Sequence, residues 1–273
     1  MTTRILGEEG FKWFIGVVED REDPEKRGRV RVRAYNVHDD NKSNAPTETL
    51  PWATVILPAI SASLNQVGIS ATGLAVGSTV LGFFLDGREA NIPIVFGSIP
   101  GIGDIPQLAA DQPLINKEQI GPEPSSAFAA KFPYNKVVRT ESGHVFEVDD
   151  TPNAQRIHNY HRSGTYEEID VNGRRVNKIV GDDFEIVVKN KTAYVQGNIN
   201  IEARGTITIT SPQSVTITTP TVQINGQLKV TGNITTPSSI TATGQVTGGG
   251  IGLSTHTHTG VQSGPASTGT PQG

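Results

Sequence analysis

Two histidines one residue apart, His256 and His258, are the side chains of this sequence best placed to do chemistry. At i and i+2 on a strand both imidazoles leave the same face. In a three-fold bundle of such strands six ring nitrogens converge on one axial point, a donor set that suits an octahedral first-row ion better than tetrahedral zinc. Ser254, Thr255, Thr257 and Thr259 place hydroxyls beside the pair, where they can orient the rings.

The other reactive groups fit catalysis poorly. Carboxylates stand side by side at Asp149/Asp150, Glu167/Glu168 and Asp182/Asp183. Neighbours on a strand point to opposite faces, so no pair offers two carboxyls across one substrate; turn and surface roles are expected. His144, His158 and His161 lie among polar neighbours and read as surface or inter-chain packing residues. Arg29, Arg31 and Arg33 share a strand face, yet the preceding EDREDPEK is more acidic than basic, which disfavours a nucleic-acid groove. Trp13, Phe14, Trp52, Phe83 and Phe84 fall in apolar strands and are expected in the core or an interface. No catalytic and no cofactor-binding residue is predicted.

Composition agrees. A net charge of −4 gives no electrostatic case for nucleic acid or an anionic membrane surface. The absence of cysteine removes disulfides, thiolate ligands and a thiol nucleophile. No apolar run approaches the ~18 residues of a membrane span, so stable membrane insertion is not expected, and the start lacks the charge and apolar pattern of a secretory signal.

The element that must position the histidines is the tract before them. The last 69 residues carry one charged side chain, Lys229, and no aromatic. They alternate nonetheless. Ile199, Ile201, Ala203, Ile207, Ile209, Val215 and Ile217 are all odd-numbered, which puts them on one face of a pleated strand. After Pro220 the apolar residues are even: Val222, Ile224, Leu228, Val230, Ile234, Ile240, Ala242 and Val246. That shift implies a one-residue corner near 219–221. Turn formers recur about every eight residues, at Gly181, Gly197, Gly205, Pro212 and Pro220, then at Gly226, Gly232, Pro237 and Gly244, which is the mark of a β-solenoid. One or two apolar residues per lap cannot fill a single-chain solenoid. Three copies converging on one axis need only a thin seam from each, so an intertwined homotrimer is expected.

The fold class is therefore all-β. Residues 1–103 read as an oligonucleotide/oligosaccharide-binding (OB) type of barrel with strands near 14–19, 29–35, 52–57, 79–85 and 92–97. Residues 104–133 form a Pro-rich linker and 134–180 a β-meander with its strongest two-residue hairpin signal at Asn172-Gly173. Residues 181–247 form the trimeric β-helix and 248–273 the tip.

Four stretches in this order resemble one family. GRVRVRAYNVHDDN with LPWATVILP, then GLAVGSTVLGFFLDGREANIPIVFGSIPG, is similar to the N-terminal OB barrel of the central spike proteins of contractile injection machines. That family includes the T-even phage baseplate hub with its tail lysozyme, the baseplate assembly protein V group and the VgrG spikes of type VI secretion. SGHVFEVDDTPNAQRIHNYHRSGTYEEIDVNGRRVNKIVGDD resembles the segment that opens their trimeric β-helix, and LSTHTHTGVQSGPASTG resembles the phage spike tip. The resemblance implies a structural central spike in the virion, assembled in the host cytoplasm, which pierces the target cell outer envelope when the sheath contracts. Its barrel would meet baseplate hub or tail tube proteins, and His256 and His258 would hold one iron ion per trimer on the three-fold axis. A VgrG-like effector carrier stays open as an alternative, as does a β-solenoid glycan-binding or glycan-cleaving protein. The lysozyme is not implied: about 30 residues separate barrel and helix, against the ~100 of a typical domain.

Overall fold

In the computed structural model the described residues are 10–101, 123–257, 259–260 and 264. Most of the linker, His258 and most of the last ten residues therefore lie outside them. The chain divides into two compact units, Met1–Lys191 and Thr192–Gly273.

The first unit opens with a closed barrel of five strands: β1 (Lys12–Asp20), β2 (Val30–Ala34), β3 (Trp52–Val55), β4 (Thr79–Phe84) and β5 (Pro93–Ser98). Their order is β1-β2-β3-β5-β4, and β4 pairs back onto β1. All pairings are antiparallel except β3 with β5. Alternate residues point inward, so Phe14, Val18, Val30, Val32, Ala53, Val80, Phe84 and Val95 form one core. Closure forces tight crossings. A methyl at Gly82 would sit 2.2 Å from the carbonyl oxygen of Ile94 and 2.5 Å from the Phe14 ring, so only glycine fits where β4 crosses the core.

A second sheet follows, ordered β10-β9-β8-β7-β6. Its strands are β6 (Asn135–Arg139), β7 (Val145–Asp149), β8 (Arg156–Tyr160), β9 (Tyr166–Ile169) and β10 (Arg175–Lys178). Three of its hairpins close on the same loop. Thr140, His161 and Asp170 each bond through the backbone to the residue four further on, and Gly143, Gly164 and Gly173 take positive φ before the chain returns. The hairpin expected at Asn172-Gly173 exists, but with a three-residue loop. Gly173 (φ 76°) is its left-handed residue, and the Asp170 carboxylate accepts from the backbone N–H groups of Asn172 and Arg174.

The second unit has one short ladder, β11 (Thr247–Gly248) with β12 (Ile251–Gly252). Before it, residues 192–246 make no strand pairing within the chain and are exposed throughout. The apolar seam is bare in a single copy: Ile209 is 75 % exposed and Ile217 69 %.

Candidate functional site

The tip is a tight hairpin. Gly249 and Gly250 both take positive φ (59° and 83°), the conformation of a two-residue type I′ turn, and return the chain so that the Leu253 amide donates to the Val246 carbonyl at 2.9 Å. The Gln245 side chain ties the far arm, accepting from the Ser254 amide at 3.3 Å and from its hydroxyl, and donating to Thr255 Oγ1 at 3.2 Å. The His256 amide donates to the Gly252 carbonyl at 3.0 Å. Its ring Nδ1 lies 3.0 Å from the Leu253 carbonyl oxygen. A carbonyl only accepts, so Nδ1 carries the hydrogen, and this is the tautomer in which Nε2 holds the lone pair a metal takes. The histidine present thus fits a metal ligand of the expected kind. His258 is outside the described residues. Among the described residues of one chain no cluster of three or more His, Cys, Asp or Glu could hold a metal.

Arg29, Arg31 and Arg33 of the barrel are each paired with an acid. Arg29 bonds Asp23 at 2.7 Å, Arg33 bonds Glu19 at 2.8 Å and Arg31 lies 3.5 Å from Asp20. The Arg33 guanidinium pulls the Glu19 carboxyl down to about 2 against the opposing effect of burial, helped by Thr47 and Lys42. Arg29 and Arg31 also lie over the Trp52 ring. Such a strand is a structural ion-pair ladder rather than a groove for phosphates. Phe14 and Phe84 fill the core, whereas Trp13 is 56 % exposed and packs with Phe11 and Phe83 on the outer wall.

The meander departs from expectation. His158, expected at the surface or in inter-chain packing, and Glu168, expected in a turn or at the surface, are buried within one chain, and so are Glu147, Asp149 and Arg156. They share a face because the register places Glu147 opposite His158 and His158 opposite Glu168, with Arg156 two residues before His158. Arg156 bridges both carboxylates, at 2.6 Å to Glu147 and 2.9 Å to Glu168. The segment from 123 covers them: Ser126 Oγ and the Ala127 amide donate to Glu168, and the Phe128 ring lies 4.9 Å from the Arg156 guanidinium. Burial pushes the Glu168 carboxyl up, but bonds from His158, Ala127, Ser126 and Arg156 outweigh it and hold the group at about 2. A carboxylate so held is ionised and committed, which makes this a clamp and a poor proton donor. Glu167, on the other face, pairs with Arg175 at 2.8 Å, so the adjacent carboxylates do diverge.

Removing the bridge strands two buried charges. Arg156→Ala is expected to destabilise the first unit by about 3–5 kcal/mol, the usual cost of breaking a buried ion pair. Chemical denaturation of the variant against the parent measures it; a change under about 1 kcal/mol would mean the carboxylates find water.

Closed barrel and hairpin tip define a class at both ends of the chain. Residues 34–114 match the Gp5 N-terminal OB domain and residues 250–272 match the GpV apex motif, which spans His256 and His258. The resemblance to phage baseplate central spike proteins is therefore shown.

Particular relatives carry it further. Protein Gp5 of Vibrio phage KVP40 is 33 % identical over 271 residues, covering 72 % of this chain and 64 % of its own length. The pre-baseplate central spike protein Gp5 of Enterobacteria phage T4 is 46 % identical over 97 residues, 34 % of this chain and 17 % of its own. The chain thus spans less than two thirds of either relative.

Proposed function

We propose that the chain is the central spike of a contractile tail baseplate, a homotrimeric needle carried in the virion after assembly in the host cytoplasm. The observation that carries this reading is the seam: thirteen Ile, Val and Leu side chains from Ile199 to Val246, in strict parity, bare in one copy. Only other copies of the same pattern cover such a seam without unpaired polar groups. The likeness to the T4 central spike and to the GpV apex supports the assignment. Work at the tip is mechanical. Sheath contraction drives a narrow, stiff point into the target cell outer envelope, and one iron ion, held by His256 and His258 of three chains, keeps the three ends from splaying.

The barrel is the docking end, towards baseplate hub or tail tube proteins. Deleting residues 1–103 is expected to leave a stable trimer while the spike disappears from purified particles, as immunoblotting of those particles would reveal. Retention of the truncated chain in particles would move the docking surface elsewhere. The chain is proposed to have no lytic activity, and clearing of a cell-wall suspension by the pure protein would overturn that.

A further inference from the structure

Bends in the chain mark out a change of period. Counting the first residue of each, they fall at 180, 188, 196, 204, 212 and 220, then at 225, 231, 237 and 243. The first five intervals are of eight residues, the last three of six, and a single interval of five separates the two sets. Pro212, Pro220, Pro237 and the glycines 181, 197, 205, 226, 232 and 244 sit at these corners. Residues 188–189 bend without a turn former.

The side-chain pattern changes at the same place. An even interval keeps the same parity inward, whereas an odd one reverses it. The apolar residues pass from odd to even numbers between Ile217 and Val222, at the corner that opens the one odd interval, 220 to 225. Before it each eight-residue lap presents three alternate seam positions: Ile199, Ile201 and Ala203, then Ile207, Ile209 and Ser211, then Val215, Ile217 and Thr219. After it each six-residue lap presents two: Leu228 and Val230, Ile234 and Thr236, Ile240 and Ala242.

We infer that the spike narrows in one step at residues 220–225, where a wall built of eight-residue sides gives way to one built of six-residue sides. The inference rests on the trimeric reading. At about 3.3 Å per residue each side shortens from ~26 Å to ~20 Å, and the core drops from three seam residues per chain and lap to two. A thinner section needs fewer side chains to fill it, so packing is kept while girth is lost. The five-residue interval is what makes the step workable. With six residues there, every seam residue from Leu228 onward would face solvent.

Deletions in the full-length chain test the period separately from the parity. Four are needed, all of an even number of residues so that the inward face is unchanged: 205–212 and 205–210 in the wide part, 231–236 and 231–238 in the narrow part. The narrowing predicts that removing 205–212 or 231–236 leaves the thermal midpoint within a few degrees of the parent. Removing 205–210 or 231–238 puts the corners of the next lap out of phase and lowers it by about 10 °C or more. If 231–238 is tolerated and 231–236 is not, eight-residue laps run to the tip and the step is refuted. Equal behaviour of all four would show that the corners set no register, which also refutes it. Light scattering on the same samples separates the two ideas: a folded, monomeric parent would defeat the trimeric reading, while the ranking of the four midpoints still decides the period.

Discussion

Replacing Ile209 or Ile217 by Asp is expected to abolish assembly of the proposed trimer. In a three-fold seam each substitution brings three carboxylates to one dry layer with no cation near it. The nearest charged residues in sequence are Arg204 and Lys229. An unpaired buried charge costs several kcal/mol even after relaxation, and three of like sign add repulsion. The seam opposes this with about 1.5–3 kcal/mol for each fully buried Ile, Val or Leu. Losing that contribution at one layer while adding the charge penalty makes the variant chains partition to monomer or aggregate. Size-exclusion chromatography with light scattering reads the result directly, and the even-numbered control Thr208→Asp, on the opposite face, is expected to assemble. Normal trimers from Ile209→Asp would mean that this side chain faces water in the assembly.

The second large effect is at the tip. His256→Ala with His258→Ala is expected to remove the metal while the trimer persists, because in the proposed assembly the seam holds the rest and the histidines hold the end. Elemental analysis of the parent should give one iron per three chains, in keeping with six imidazole nitrogens around one octahedral ion. A ratio near one metal per chain, or none in a well-folded trimer, would exclude the axial site. Ligation requires neutral imidazole, and the metal competes with protons for it. The ion should therefore be released as pH falls, at a lower pH the tighter the site. With the ion gone, proteolysis should reach the last turns from about 248 onward first, since among the described residues the short β11–β12 ladder and the Gln245 side chain are what tie them to the chain before them.

What was legible in the sequence follows from locality. The barrel strands could be read because their alternation of apolar and polar residues is local, and β1 to β5 fall within a few residues of their expected positions. The corners at Gly181, Gly205, Pro212 and Pro220 were visible for the same reason: glycine and proline carry their backbone preference with them. The clamp was not visible. Arg156, Glu147 and Glu168 meet only through the register of three strands, and in VFEVD apolar residues stand on both faces, so the pattern does not say which face is covered. The three equivalent loops held part of the missing signal. Fixing the register at Gly164 would have set Glu168 opposite His158, whereas placing Glu147 also requires the different β7–β8 turn at 150–155. The bend at 188–189 could be found only from the period of the others.

The measurement that bears most directly on the whole account is the mass of the purified full-length chain in solution. Light scattering at micromolar concentration, in buffer containing iron(II), should give about three times the 29.1 kDa of one chain, and a melting profile that is steep and shared by the seam region. A folded species of one chain's mass, with residues 199–246 protected from proteolysis, would contradict it, because among the described residues nothing in a single copy covers that seam.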